Sequence, residues 1–402
     1  MIVRLSVAAV CCALIGCADG SVERGGMVRR DSAGIEMVEH SRVDSASVTW
    51  WLLDEEPAVS IGAVEGTPEQ FVYQVRDAVR LSDGRIVIAS SGSDDVRYYG
   101  EDGRHLRTSG RRGSGPGEFV FPQDLVRMRG DSLLVHDFAQ NRLTVLDPSG
   151  EYVRDRASQR VDQVLGIGDD GSLAVRLRIA PGTNTAPPGR IFRPQAPHAV
   201  IREDAAPDTL GVFPGSEAVR VSGTLNRRPF EFPMDPLWGR LAFSTFHDGQ
   251  LFVATGEAPE FRMYDGAGRL VRIVRIAPGL EPVGEEATVE IRKALAANAE
   301  AAVAPDLKDY TEAYARRPAH ETLPPYLDMR VAADGNVWLR DYDVHWTSEL
   351  WTVYSPNGSR LSRVRIPWRF RIFEIGSDYV LGHERDELDV EYVRMYRLRR
   401  GN

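Results

Sequence analysis

Cysteine is missing from almost the whole chain. Three of the 402 residues are cysteines, Cys11, Cys12 and Cys17, and no residue after position 17 is one. A disulfide framework or a cysteine-based metal site is therefore excluded from the body. A chain this long, 43% hydrophobic, can bury a large core without such staples. A basic stripe is absent too. The net charge is −9, and the arginine pairs Arg111-Arg112 and Arg227-Arg228 stand alone. Nothing here would meet a row of phosphates, so nucleic acid is not an expected partner. Long apolar runs are also absent. The longest, Leu5 to Ile15, is far short of the ~20 residues that span a bilayer. Motifs of chemistry are equally scarce. There is no Gly-x-Ser-x-Gly elbow, Walker loop or His-Glu-x-x-His pair.

What is present begins at the N-terminus. Arg4 precedes a short apolar run that ends in Leu14-Ile15-Gly16-Cys17. A positive charge, a short apolar segment and small residues before a cut are the pattern of a signal peptide. The final four residues resemble the bacterial lipobox, which implies cleavage before Cys17 and a diacyl lipid, with fatty acyl groups such as palmitate, carried on its thiol as a thioether. Cys11 and Cys12 would leave with the signal. Ala18, not Asp, follows the cysteine, which points to outer-membrane sorting. The expected layout is a signal peptide at 1–16 and a flexible tether at 17–33, with the membrane met through the lipid alone. The expected location is the periplasmic face of the outer membrane or the cell surface.

The body repeats itself. Ala78-Val79-Arg80-Leu81, Ser82-Asp83-Gly84 and Arg85-Ile86-Val87-Ile88-Ala89 read as strand, turn, strand, and Val96 to Tyr99, Asp102-Gly103 and His105 to Arg107 continue the pattern. Asp-Gly turns need positive φ and are strong hairpin signals. The unit returns at 125–153, 248–268 and 334–358. The two turns of a unit stand 19 residues apart at Gly84 and Gly103, at Asp131 and Gly150, and at Gly249 and Gly268; they stand 23 apart at Gly335 and Gly358. Weaker units centre on Asp169-Asp170-Gly171 and Gly376-Ser377-Asp378. Six units of four short antiparallel strands predict an all-β fold, a six-bladed β-propeller with a small helical insertion. It should occupy 34–398. One of two early runs, Gly34 to Val38 or Val48 to Leu53, should complete the last blade and close the ring.

Gly110 to Phe119 with Phe121-Pro122 resembles the glycine-rich junction between blades of NHL-type propellers. Leu133 to Asp137 and Asn141 to Gly150 resemble their blade core. The ending Val380-Leu381-Gly382 with Arg385 to Leu388 is similar to that of bacterial 6-bladed β-propeller lipoproteins of unassigned function. The likeness is strong over 71–154 and 240–276, fair over 326–398 and poor over 155–239. It implies a fold. Such propellers include scaffolds, ligand binders and enzymes, so it implies no single activity.

Two stretches break the repeat. Residues 177–197 hold Pro181, Pro187, Pro188, Pro194 and Pro197 and read as a loop insertion. Residues 284–317 read as helical, with stripes at Ile291, Ala294, Leu295 and Ala302 and at Leu307, Tyr310 and Tyr314, set between blades four and five.

Aligning the units on their second strand nominates a channel-mouth site. The residues leaving that strand include His136, Asp137, Arg176, Arg340, Asp341 and His383. Arg176 and Arg340 could hold a carboxylate or phosphate in the planar fork of a guanidinium. The expected function is an exported binding or scaffold module at the cell envelope, taking a small anionic ligand, a peptide or a protein partner. The alternative is a hydrolase or lyase at the same mouth, with a divalent cation on the histidines and carboxylates. Convergence of these side chains on one point would favour the enzyme. Side chains that splay apart or pair off would favour binding by another face.

Overall fold

The computed structural model describes residues 21–23, 26–41, 49–158, 160–179, 189–203, 205–225, 228–276, 279–300 and 312–401. Cys17, the signal peptide, and Ala302, Leu307 and Tyr310 of the helical insertion lie outside them.

Six antiparallel sheets follow one another along the chain. Blade 1 is Val75–Arg80, Ile86–Ser90, Asp95–Tyr99 and His105–Ser109. Blade 2 is Pro122–Arg127, Leu133–Asp137, Arg142–Leu146 and Tyr152–Ala157. Blade 3 is Val161–Ile167, Leu173–Leu177, Gln195–Ile201 and Asp208–Pro214. Blade 4 is Phe243–His247, Gln250–Ala254, Glu260–Tyr264 and Leu270–Arg275. Blade 5 is Asp328–Val331, Val337–Arg340, Leu350–Tyr354 and Arg360–Arg365. Blade 6 is Arg371–Ile375, Tyr379–Arg385 and Glu391–Arg399, completed by Leu52–Leu53 and Val59–Ile61. The first strands touch in sequence and the sixth returns to the first, so the ring is closed. The chain is a six-bladed β-propeller.

The core is not one mass but six, one per blade junction. Blade 1 shows why. Ile86 and Ile88 of its second strand pack towards blade 6, while Val87 and Ala89 pack towards blade 2. Side chains alternate faces along a strand, and here both faces are covered. A continuous apolar run is the result. The turn spacing has a similar origin, because outer turns rest on the preceding blade. A β-carbon on Gly268 would lie 2.1 Å from the Leu210 carbonyl oxygen of blade 3, and one on Gly150 would lie 2.4 Å from Ser109 Oγ of blade 1. Both glycines also have positive φ.

The N-terminal segment is a strap. Met27–Ser32, within the expected tether, pairs with Ile35–His40, which lies parallel to Leu270–Arg275 on the outer edge of blade 4. At blade 5, Arg363 N–H donates to Thr49 O (2.9 Å) and Trp51 N–H to Arg363 O (3.0 Å). The strap then supplies the outer strands of blade 6. The end of the Val48 to Leu53 run thus helps close the ring, whereas the Gly34 to Val38 run covers blade 4.

The interruptions pack on one another. A three-stranded sheet of Ile191–Phe192, Ala218–Leu225 and Arg228–Met234 stands apart from the ring. Its Val219, Val221 and Met234 pack against Ala313 and Tyr314 of the helical insertion. The helix Glu285–Glu300 buries Ile291 against Leu237, Trp238 and Leu323. The 177–197 stretch contains parts of regular structure: Leu173–Leu177 ends in it, Ile191–Phe192 lies in it, and Gln195–Ile201 starts in it.

Candidate functional site: the central channel

The first strand of every blade lines the channel, a cavity of about 450 Å³ walled by residues of all six. Four of these strands carry a bulge at the same place. The pairing slips between Val75 and Asp77, Pro122 and Asp124, Val161 and Gln163, and Ile372 and Glu374. A bulge frees one residue from the ladder and re-aims its side chain. The freed residues are Arg76, Gln123, Asp162 and Phe373. Arg76, Gln123 and Phe373 face the channel.

The residue after the bulge stitches blades together. Asp77 accepts hydrogen bonds from the N–H groups of Ala78 (2.9 Å) and of Leu125 in blade 2 (2.8 Å). Asp124 accepts from His136 Nδ1 (2.7 Å) and from Val164 N–H in blade 3 (3.2 Å). Burial raises the Asp77 carboxyl to about 7, and the Asp124 carboxylate adds to the rise.

The cations divide into paired and unpaired. Arg330 lies 3.0 Å from Asp328, and Arg176 lies 2.7 Å from Asp162. Arg76 and Arg371 have no ion pair or hydrogen bond among the described residues. Arg76 stacks over Phe121 (4.6 Å), and its buried Nε has no partner. Arg371 stacks over Phe373 (5.1 Å). Burial pushes the Arg371 guanidinium down, and the nearby Arg330 and Arg76 push it further. Asp77 and Asp328 oppose that shift but do not reach it with a bond. The wall where blades 6 and 1 meet thus carries two guanidiniums, Arg76 half-buried and Arg371 exposed to the channel, with no anion bonded to them among the described residues.

The six residues nominated from sequence do not converge. The reason is the identity of the inner strand. The chain enters each blade at the channel and works outward, so the second strand lies behind the wall. His136 and Asp137 are fully buried. His136 holds Asp124 from behind, and Asp137 organises the junction loop by accepting from Val120 N–H (2.7 Å) and Gln140 N–H (2.9 Å). Arg340 donates to Ser348 O (2.7 Å) and Trp368 O (3.1 Å). Asp341 faces a different cleft, 3.3 Å from Thr352 Oγ1 and 3.9 Å from Arg363, and burial raises its pKa. His383 lies 3.3 Å from Glu391, and burial lowers its pKa. Only Arg176 of the six reaches the channel. Among the described residues, no three His, Cys, Asp or Glu side chains are grouped to hold a metal ion. No helix among them is long and apolar enough to cross a membrane.

A signal for the true wall was available. Arg76-Asp77-Ala78 and Gln123-Asp124-Leu125 are polar-polar-apolar triplets placed alike before the two apolar runs. Polar residues ahead of a run buried on both faces mark the strand that meets water.

Comparison with known proteins agrees with this architecture. Residues 66–162 match the model of a family described as 6-bladed beta-propeller. Among solved structures, the propeller is similar to a Bacteroides vulgatus protein of a family with unknown function. That likeness is at 10% identity over 88% of this chain and 100% of the other, with a TM-score of 0.50. It is similar also to a Bacteroides fragilis protein that bears the name of an exported protein, at 11% identity over 91% and 100%, with a TM-score of 0.48. At such identities the likeness is one of fold. The sequence matches none of the curated proteins.

Proposed function

We propose that this propeller is an exported binding module, tethered by a lipid on Cys17 at the periplasmic face of the outer membrane or the cell surface, and that its central channel takes a small anion. The observation that carries the reading is the pair Arg76 and Arg371, two channel-wall guanidiniums without an acidic partner among the described residues. A carboxylate between them would gain charge-assisted hydrogen bonds from both guanidiniums. The enzymatic alternative receives less support, because the histidines and carboxylates that would do chemistry are engaged separately in holding blades and loops. The address rests on the lipobox-like residues before Cys17.

The test is calorimetric titration with acetate, succinate and phosphate at low salt, comparing the protein with Arg371→Gln and Arg76→Gln. Each hydrogen bond to a charged group contributes ~1.5–3 kcal/mol, so each variant should weaken binding about tenfold or more. Equal affinity in all three proteins would sink the channel reading. Mass spectrometry of the membrane form should find acyl groups on Cys17, and Cys17→Ala should release the protein from membranes.

A further inference from the structure

We propose that the anion carries an apolar arm, which lies in a side pocket between blades 3 and 4. The proposal rests on the channel reading above. The pocket has a volume of about 250 Å³, and Ile179, Ala196, Phe213 and Val253 are among its lining residues. It is continuous with the channel, for Arg176, Ala242, Phe243 and Ser244 line both.

The polar side chains of His198 and Ser244, which line the pocket, are already spent on fixed partners. His198 Nδ1 lies 2.9 Å from the Ala196 carbonyl, so it carries the proton and donates. Its Nε2 must then accept, and Ser244 Oγ stands 2.9 Å away as the donor. Burial holds the ring neutral. At the mouth, Arg176 Nε donates to Asp162 Oδ2 at 2.7 Å, so the two charges offset one another. Beside the His198–Ser244 pair a polar arm would leave water and find no free side-chain partner, whereas an apolar arm gives up nothing. The walls are also set in advance. Phe213 meets His198 edge-on at 5.0 Å and Tyr264 at 4.9 Å, which fixes the ring that forms one side. A preformed pocket spares the ligand the cost of ordering it.

The topology then dictates length. Arg76 and Arg371 belong to blades 1 and 6, and the pocket to blades 3 and 4, across the ring. A short anion fills the cationic end alone. Only an arm long enough to cross the channel reaches the pocket.

The experiment titrates the full chain carrying Cys17→Ala with acetate, butanoate, hexanoate, octanoate and decanoate below their micellar concentrations. Affinity should be level for the shortest acids. It should then climb about fourfold per methylene once the chain enters the pocket, the ratio that ~0.8 kcal/mol gives. A terminal hydroxyl on octanoate should cancel most of that climb, and this comparison needs no core substitution. Ala196→Phe, which narrows the pocket, should weaken octanoate. Equal affinity at every length, weakened throughout by Arg371→Gln, would overturn the arm and leave the channel anion site standing. A length dependence that octanol shares and Arg371→Gln does not alter would overturn the channel reading, and the proposal with it. Absence of binding by every acid overturns both.

Discussion

Replacing Asp77 with asparagine should make the protein more stable as the pH rises, relative to the native chain. Asp77 faces the channel and accepts two backbone N–H groups, one from the next blade. Burial, with the neighbouring Asp124 carboxylate adding, raises its pKa to about 7. In the unfolded chain it returns to ~3.9. Between those values the folded state binds the extra proton, so native stability falls as pH rises from about 4 to about 7. Three pKa units correspond to ~4 kcal/mol, an upper bound because water in the channel relieves part of the penalty. His198 works in the opposite direction. Burial depresses its pKa to about 4. There the unfolded chain binds the extra proton, so stability rises with pH from about 4 to about 6.5, by ~3 kcal/mol at most. The two terms partly cancel in the native protein, so its pH profile alone is uninformative. The difference between variant and native isolates Asp77. Urea unfolding at half-unit steps from pH 4 to 8 should show that difference growing in favour of Asp77→Asn by 1 kcal/mol or more, towards the ~4 kcal/mol bound. A difference constant within ~0.5 kcal/mol would refute the argument that Asp77 is desolvated at the wall.

Two further outcomes follow from the ring. Val59→Ala with Ile61→Ala strips the closing strand of two side chains that are 5% and 2% exposed, so a loss of ~3–6 kcal/mol in urea unfolding and faster amide exchange across 391–399 are expected. Leu106→Ala, on the outer strand of blade 1 and 57% exposed, is the control and should change stability by less than ~0.5 kcal/mol. Gly268→Ala should cost well above the ~1 kcal/mol expected of Gly130→Ala. Both glycines have positive φ, but only the first would drive a β-carbon against another blade. Equal losses at the two glycines would mean that the outer turns do not rest on their neighbours.

The blades were legible because a blade is a local object. The Asp-Gly turns and the apolar runs at 86–89 and 133–135 lie within a few residues of what they pair with. Blade 3 and the hairpin 218–234 were harder to read, because prolines and an insertion break the repeat and the hairpin has no counterpart among the described residues. The strap was hidden for another reason. Ile35–His40 pairs with a blade strand more than 200 residues away and carries Met27–Ser32 on its other edge, and nothing in their own pattern names that partner. The channel wall was sought one strand too late. His136 and Asp137 look like chemistry, yet they follow a run buried on both faces, and the residues that meet the channel precede it.

By itself the amino-acid sequence determined the number of repeats, the turns between strands and the lack of any covalent staple in the body, because each depends on residue types at short spacing. Tertiary structure alone decided which strand faces the channel, which arginines lack a carboxylate, and how the N-terminal strap closes the ring. Those outcomes depend on which blade stands next to which. A guanidinium is paired or unpaired only once the ring has brought, or failed to bring, an acid within reach.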